Sequence, residues 1–294
     1  MVLVRWLALV ALFAVACGAV PAHAQSLALA YRSGDTYKYT LHSTANQAVD
    51  AGATTVPLTF DLTAGETVTV KSVDSGGNAD LSIGLTNLTI KSSANGVTNT
   101  TTGMPSPAID IKIAADGRVL SVNGSSLGGS MFTAFSGMSG GFFSAVLPDT
   151  AVKPGDTWSK DYDQTNPLGS GAIHITTKSK YLRNESLQGF NAAVVETTSS
   201  GSIDITIDVS KAVAGQAAVP AIADSAWKSM TIKGTMTSDV TSWIDPTGHR
   251  VLKTHMTGST NATMTINLAS KAATPGPTGP FSIKGNETTD LAPA

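Results

Sequence analysis

Two pentapeptides, Gly137-Met138-Ser139-Gly140-Gly141 and Gly124-Ser125-Ser126-Leu127-Gly128, fit the G-x-S-x-G pattern of a serine nucleophile elbow. That chemistry needs a strand, a strained turn and a following helix, with an acid and a histidine placed later in the chain. His174, His249 and His255 do follow Ser139, but the alternation of strands and helices that builds an elbow is missing. A serine hydrolase using Ser139 is therefore a third reading of the chain, and short Gly/Ser matches arise readily in so Gly-rich a sequence. Metal chemistry is thinner. Beyond the first 24 residues the histidines are His42, His174, His249 and His255, with no paired-ligand spacing. Asp156, Asp161, Asp163 and Asn166 offer hard oxygens around Trp158, without the glycine and terminal glutamate of a calcium loop. Asp204 and Asp208 share one strand face about 13 Å apart, too far for a glycosidase carboxylate pair. The residues imply no cofactor and no catalytic centre, so the chain reads as a non-enzyme.

The elements that would hold any site are those of a β protein. Ile109, Ile111 and Ile113 alternate with polar residues, as do Ile203, Ile205, Ile207 and Val209, then Met230, Ile232 and Met236, and Ala262, Met264, Ile266 and Leu268. Period-two patterning gives each strand one buried and one wet face, as in antiparallel sheets. Leu81, Ile83 and Leu85 lie on one parity and Leu88 and Ile90 on the other, which predicts a bulge near Thr86-Asn87. Roughly a dozen strands can be counted.

A doubled signature organises them. Gly34-Asp35-Thr36-Tyr37 returns as Gly155-Asp156-Thr157-Trp158, and Asp116-Gly117-Arg118-Val119-Leu120 is echoed by Thr247-Gly248-His249-Arg250-Val251-Leu252. These residues suit turns that launch strands, with the aromatic entering the core. The expected organisation is one β-rich domain over 25–294, made of pseudo-repeats at about 27–124 and 148–270, a helical insert at 125–147 and a Pro/Gly-rich segment at 271–294.

That insert breaks the pattern. No charge occurs from Val119 to Pro148, and Leu127, Met131, Phe135, Met138, Phe142 and Val146 recur at helical spacing. Phe132 and Phe143 widen the stripe, while the other face is Gly, Ser, Thr and Ala. A helix here either closes a sheet as ordinary core or covers an apolar cavity, with Leu127, Met131, Phe132, Phe135, Met138, Phe142 and Phe143 as a hydrophobic lining. A second uncharged stretch, Ala212 to Ala223, reads as a loop or short helices because of Pro220.

The N-terminus has the layout of a secretory signal peptide. Arg5 precedes an apolar run from Trp6 to Ala16, and Pro21-Ala22-His23-Ala24 sets small residues before a cut at Gln25. The expected location is periplasmic or extracellular. A competing cut before Cys17 would leave a lipid anchor. Cys17 is the sole cysteine, so cleavage after Ala24 leaves no disulfide. Charged residues make up 14% and the formal net charge is −2, with no basic patch, so nucleic acid is not an expected partner. No further segment reads as a transmembrane helix.

The stretch Leu147-Pro148-Asp149 with Val152-Lys153-Pro154-Gly155-Asp156-Thr157-Trp158 resembles an element of exported bacterial proteins of unknown function. The later Ser242-Trp243-Ile244-Asp245-Pro246-Thr247-Gly248-His249-Arg250-Val251 is similar to the late strand pair of LolA/LppX-type lipid carriers. The resemblance implies a curved antiparallel sheet or open half-barrel covered by helices, here the 125–147 segment, and a lipid or other apolar small molecule as ligand. The alternative is a structural or surface-interaction module with a fully packed core and no ligand.

Overall fold

The computed structural model describes residues 24–50, 52, 54–103, 108–123, 144–166, 169–209, 227–268 and 278–294. They form twelve strands: β1 Thr36–Asp50, β2 Thr55–Val73, β3 Ala79–Ala94, β4 Val97–Thr102, β5 Ile109–Ile113, β6 Val119–Asn123, β7 Thr157–Thr165, β8 Gly169–Leu187, β9 Phe190–Asp208, β10 Trp227–Asp245, β11 Arg250–Leu268 and β12 Phe281–Pro293. The sheet order is β6-β5-β3-β2-β1-β12-β11-β10-β9-β8-β7, with β4 also on β3. Every pairing is antiparallel. The end strands β6 and β7 approach each other without a ladder, so the sheet curls into a nearly closed barrel. This corrects the open half-barrel expected from the sequence.

Closure depends on β12. The stretch read as a Pro/Gly-rich C-terminal segment contains a strand that pairs with both β11 and β1. On β9, Ala193, Val195, Ile203, Ile205 and Ile207 are buried, while Glu196, Thr198, Ser200, Ser202 and Asp204 face water. Apolar-in and polar-out is the reverse of a membrane barrel, whose outer band faces lipid. No helix among the described residues is long and apolar enough to cross a membrane.

The two Gly-Asp-Thr-aromatic signatures fold alike. Gly34 N–H donates to Val70 O and Val70 N–H to Asp35 O, both at 2.9 Å. Gly155 N–H donates to Tyr181 O at 2.7 Å, and Tyr181 N–H to Asp156 O at 3.0 Å. Gly34 and Gly155 have φ of 92° and 100°, a region that glycine enters without steric cost. Tyr37 and Trp158 then pack against the core. The parity change on β3 is a register shift opposite Thr63–Gly65, with Asn87 at φ 52°.

The helix expected over 125–147 is not found in its described part. Residues 144–147 are not helical but run as an extended, fully buried plug. Ala145 N–H donates to Ser242 Oγ at 2.7 Å and Val146 N–H to Thr197 Oγ1 at 3.0 Å. Both hydroxyls belong to inward faces of the wall, so barrel side chains, not an intrahelical ladder, satisfy these amides. Residues 125–143 lie outside the described residues, as do 212–223.

Candidate functional site: the barrel lumen

One end of the barrel is sealed. Gln25 bridges to Val152, Leu29 N–H donates to Ala115 O and Ala30 N–H to His249 O, drawing residues 25–30 across the turns. Leu27 and Leu29 are buried and pack with Val70, Leu81, Ile113, Leu147, Tyr181 and Ile244 in one core that draws on nearly every wall. Next to it lies a belt of inward hydroxyls: Ser179 contacts Thr197 at 2.7 Å and Ser242 contacts Thr254 at 3.3 Å. Trp158 Nε1–H donates to Val146 O at 2.9 Å. The polar belt is thus explained by the plug it binds.

The seam between β6 and β7 is latched at this same end. Lys160 Nζ lies 2.7 Å from Asp116 Oδ2 and 2.7 Å from Asp149 Oδ1, and Arg118 Nε reaches Asp116 Oδ2 at 2.7 Å. The Arg118 guanidinium also sits 5.1 Å from the Tyr162 ring centre. Burial of Asp116 disfavours its charge, but Lys160 and Arg118 outweigh that and hold its carboxyl below the ordinary value.

The other end is built differently. Ile173, Ile205, Ile232, Met236, Ile266 and Phe281 form one cluster on β8–β12, while Leu62, Ala64 and Leu88 form a separate one on β2 and β3. Phe60, on the inward face of β2, is 39% exposed, and Leu58, Ile90, Met264 and Leu268 are only half-buried. A cavity of about 660 Å³ spans β10, β11, β12, β1 and β2. Its lining is formed by Gln47, Leu58, Met236, Thr260 and Gly285 of inward parity together with their outward-parity neighbours along each strand. That volume falls within the roughly 300–1,000 Å³ of small-molecule sites.

Two carboxyls point into the barrel interior, Glu66 level with Tyr39 of the sealed core and Glu287 further along. Glu66 stands beside Tyr39 and Leu85 on the neighbouring strands, and Glu287 beside Ala45 and Gly258. One oxygen of each, Oε1, is buried with no hydrogen-bond partner. Burial alone pushes Glu66 up to about 7 and Glu287 up to about 8. An unsatisfied buried polar atom is costly and calls for an explanation in function.

No protein family and no curated protein matches the chain. Among solved structures it is similar to lipovitellin, in a structure of its lipid–protein interactions, at 8% identity and a TM-score of 0.44 over 90% of this chain. The chain spans 26% of that lipovitellin chain. It is also similar to a putative outer membrane lipoprotein-sorting protein domain from Vibrio parahaemolyticus, at 11% identity and a TM-score of 0.17, covering 87% of this chain and 83% of that one. A third is DynF of the dynemicin biosynthesis pathway of Micromonospora chersina, at 7% identity and a TM-score of 0.25, covering 94% and 86%. Likenesses this distant carry no functional argument, which rests on the lumen itself.

The expected lining, Leu127, Met131, Phe132, Phe135, Met138, Phe142 and Phe143, lies outside the described residues, as does Ser139. Among the described residues no group of three or more His, Cys, Asp and Glu could hold a metal. Asp163 instead meets His174 at 2.9 Å on the outer face, and His42–Asp61 at 3.1 Å and His255–Asp290 at 2.7 Å are similar exposed pairs. Glu66 and Glu287 were not legible as interior groups. Glu66 sits in Thr63-Ala64-Gly65-Glu66-Thr67, which reads as a turn, and Glu287 in the polar run Gly285–Asp290.

Proposed function

We propose that the chain is an exported, non-catalytic carrier that holds an apolar small molecule or lipid in the unsealed half of its barrel. The observation that carries this reading is the division of the interior. The sealed end is one continuous core, whereas the other leaves two apolar clusters unmerged, Phe60 uncovered and a cavity beside them. Apolar surface left open inside a wall of polar exterior gains about 25 cal/mol per Å² when a ligand covers it.

β4 is exposed along its whole length, and among the described residues β6 covers only Val119–Asn123. Export follows from the signal-like N-terminus, with release after Ala24 as the favoured cut. Native mass spectrometry of protein purified without detergent, paired with solvent extraction, tests the proposal. A bound apolar mass that leaves on extraction supports it; a ligand-free protein that also takes up no apolar probe refutes it.

A further inference from the structure

The lumen reading leaves the chemistry of its occupant open, and Glu287 bears on that. The ladder row through Glu287 runs Phe60, Ala45, Glu287, Gly258, Ser238 across β2, β1, β12, β11 and β10. The carboxyl-bearing residue is flanked by Ala45 and Gly258, which carry almost no side chain. Gly285, the next inward position on β12, borders the 660 Å³ cavity, and Gln47 Cγ occupies the place a side chain would take there. A smaller void of about 10 Å³, room for a single small polar group, is lined by Gln47, Gly258, Thr260, Ile283 and Glu287 among others.

Among the described residues no cation answers this acid. The inward neighbours of Glu287 on its own strand and the two beside it are Gln47, Ala45, Ser43, Met256, Gly258, Thr260, Gly285 and Thr289, none of them charged. Lys284 is exposed on the outer face. Lys160, which faces inward at the seam, is already held between Asp116 and Asp149. Natural interiors rarely keep a carboxyl unanswered, because burying one costs free energy unless a partner offsets it. The inward Phe60 on the same row gives a chain attached to that partner an apolar surface to lie on.

We propose that the ligand is an alkyl amine or amine-headed amphiphile, its ammonium paired with Glu287 and its chain along the apolar wall of the unsealed half. This rests on the lumen being the binding site. Burial keeps the empty site's acid protonated near neutral pH, so pairing with an ammonium displaces that proton to solvent. The charge balance is simple: one cation enters and one proton leaves.

Titration calorimetry with dodecylamine, dodecanol and dodecanoate, each below its aggregation threshold, tests the assignment on the wild-type chain, Glu287→Gln and Glu66→Gln. The amine is expected to bind the wild type at least about tenfold tighter than the alcohol, with dodecanoate weakest. Measured at pH 7 in buffers of different ionisation enthalpy, amine binding should release close to one proton. Glu287→Gln should abolish both the preference and the proton release; Glu66→Gln should keep both. Equal affinity for amine and alcohol, or a preference that survives in Glu287→Gln, overturns the amine assignment and leaves the lumen reading standing. Failure of all three chains to bind the wild type overturns both. The proton count is read on the wild type, so it decides even where a variant folds poorly.

Discussion

At the sealed end of the barrel, Leu27, Leu29, Ala145 and Leu147 come from two crossing segments and interlock with side chains of nearly every wall. At the other end the walls face one another through two clusters that do not merge, and Phe60 stays 39% exposed. The strands that make both ends are the same, so strand patterning does not account for the difference. It comes from what enters the lumen and from where the wall is interrupted. From β8 to β11 each strand runs 19 residues, the full height of the sheet. In the first half of the chain β4 and β5 share β3 at different heights, and β6 ends after 5 residues. Among the described residues the meander is therefore taller on one side than on the other, and the crossing segments plug only one end.

The largest effects should come from attacking the stopper. Leu147→Ala removes a fully buried side chain and should cost about 2–5 kcal/mol in denaturant unfolding, whereas Phe60→Ala should cost under about 1 kcal/mol. Equal costs would mean that both ends are packed alike.

The interior acids give the next contrast, through pH. Glu66 is raised from an ordinary 4.5 to about 7, so the folded state binds the extra proton between those values. Stability from this group is therefore full below about 4.5 and is lost as pH rises through about 7, by roughly 3 kcal/mol. Glu287 extends the same loss toward pH 8. Asp116 at the latched seam has the opposite sign: its contribution is present above the ordinary carboxylate range and is lost as pH falls. Thermal melting between pH 4 and 9 on the wild type and Glu66→Gln separates them. The variant should flatten the alkaline decline and leave the acid decline intact.

Smaller losses should follow from the belt and the latch. Thr197→Val or Ser242→Ala orphans a buried plug amide and should cost about 1–3 kcal/mol each. Lys160→Met leaves Asp116 with Arg118 as its remaining ion-pair partner and should cost about 1–2 kcal/mol, and less at high salt.

Much of the wall was legible from residues alone. Ile109, Ile111 and Ile113 and the isoleucines of β9 alternate because one face is buried, and the Leu85–Leu88 parity change marked the bulge that Asn87 makes. Closure was not legible. The inward positions of β12 include Gly285, Glu287 and Thr289, which interrupt the apolar alternation that identifies a strand. Val146 fits a helical stripe, yet its amide is bound by Thr197, 51 residues later in the chain. Local spacing cannot report a partner that distant. Both interior acids were hidden for the same reason, since only the register of neighbouring strands reveals that they face inward.

Crystallography of the chain with a bromine-labelled dodecyl ligand shows whether the lumen holds an alkyl chain. An anomalous peak is expected inside the unsealed half, among Phe60, Met236 and Ile283. Side chains meeting across that half with no room for a chain, or bromine found only on the outer face, would contradict it.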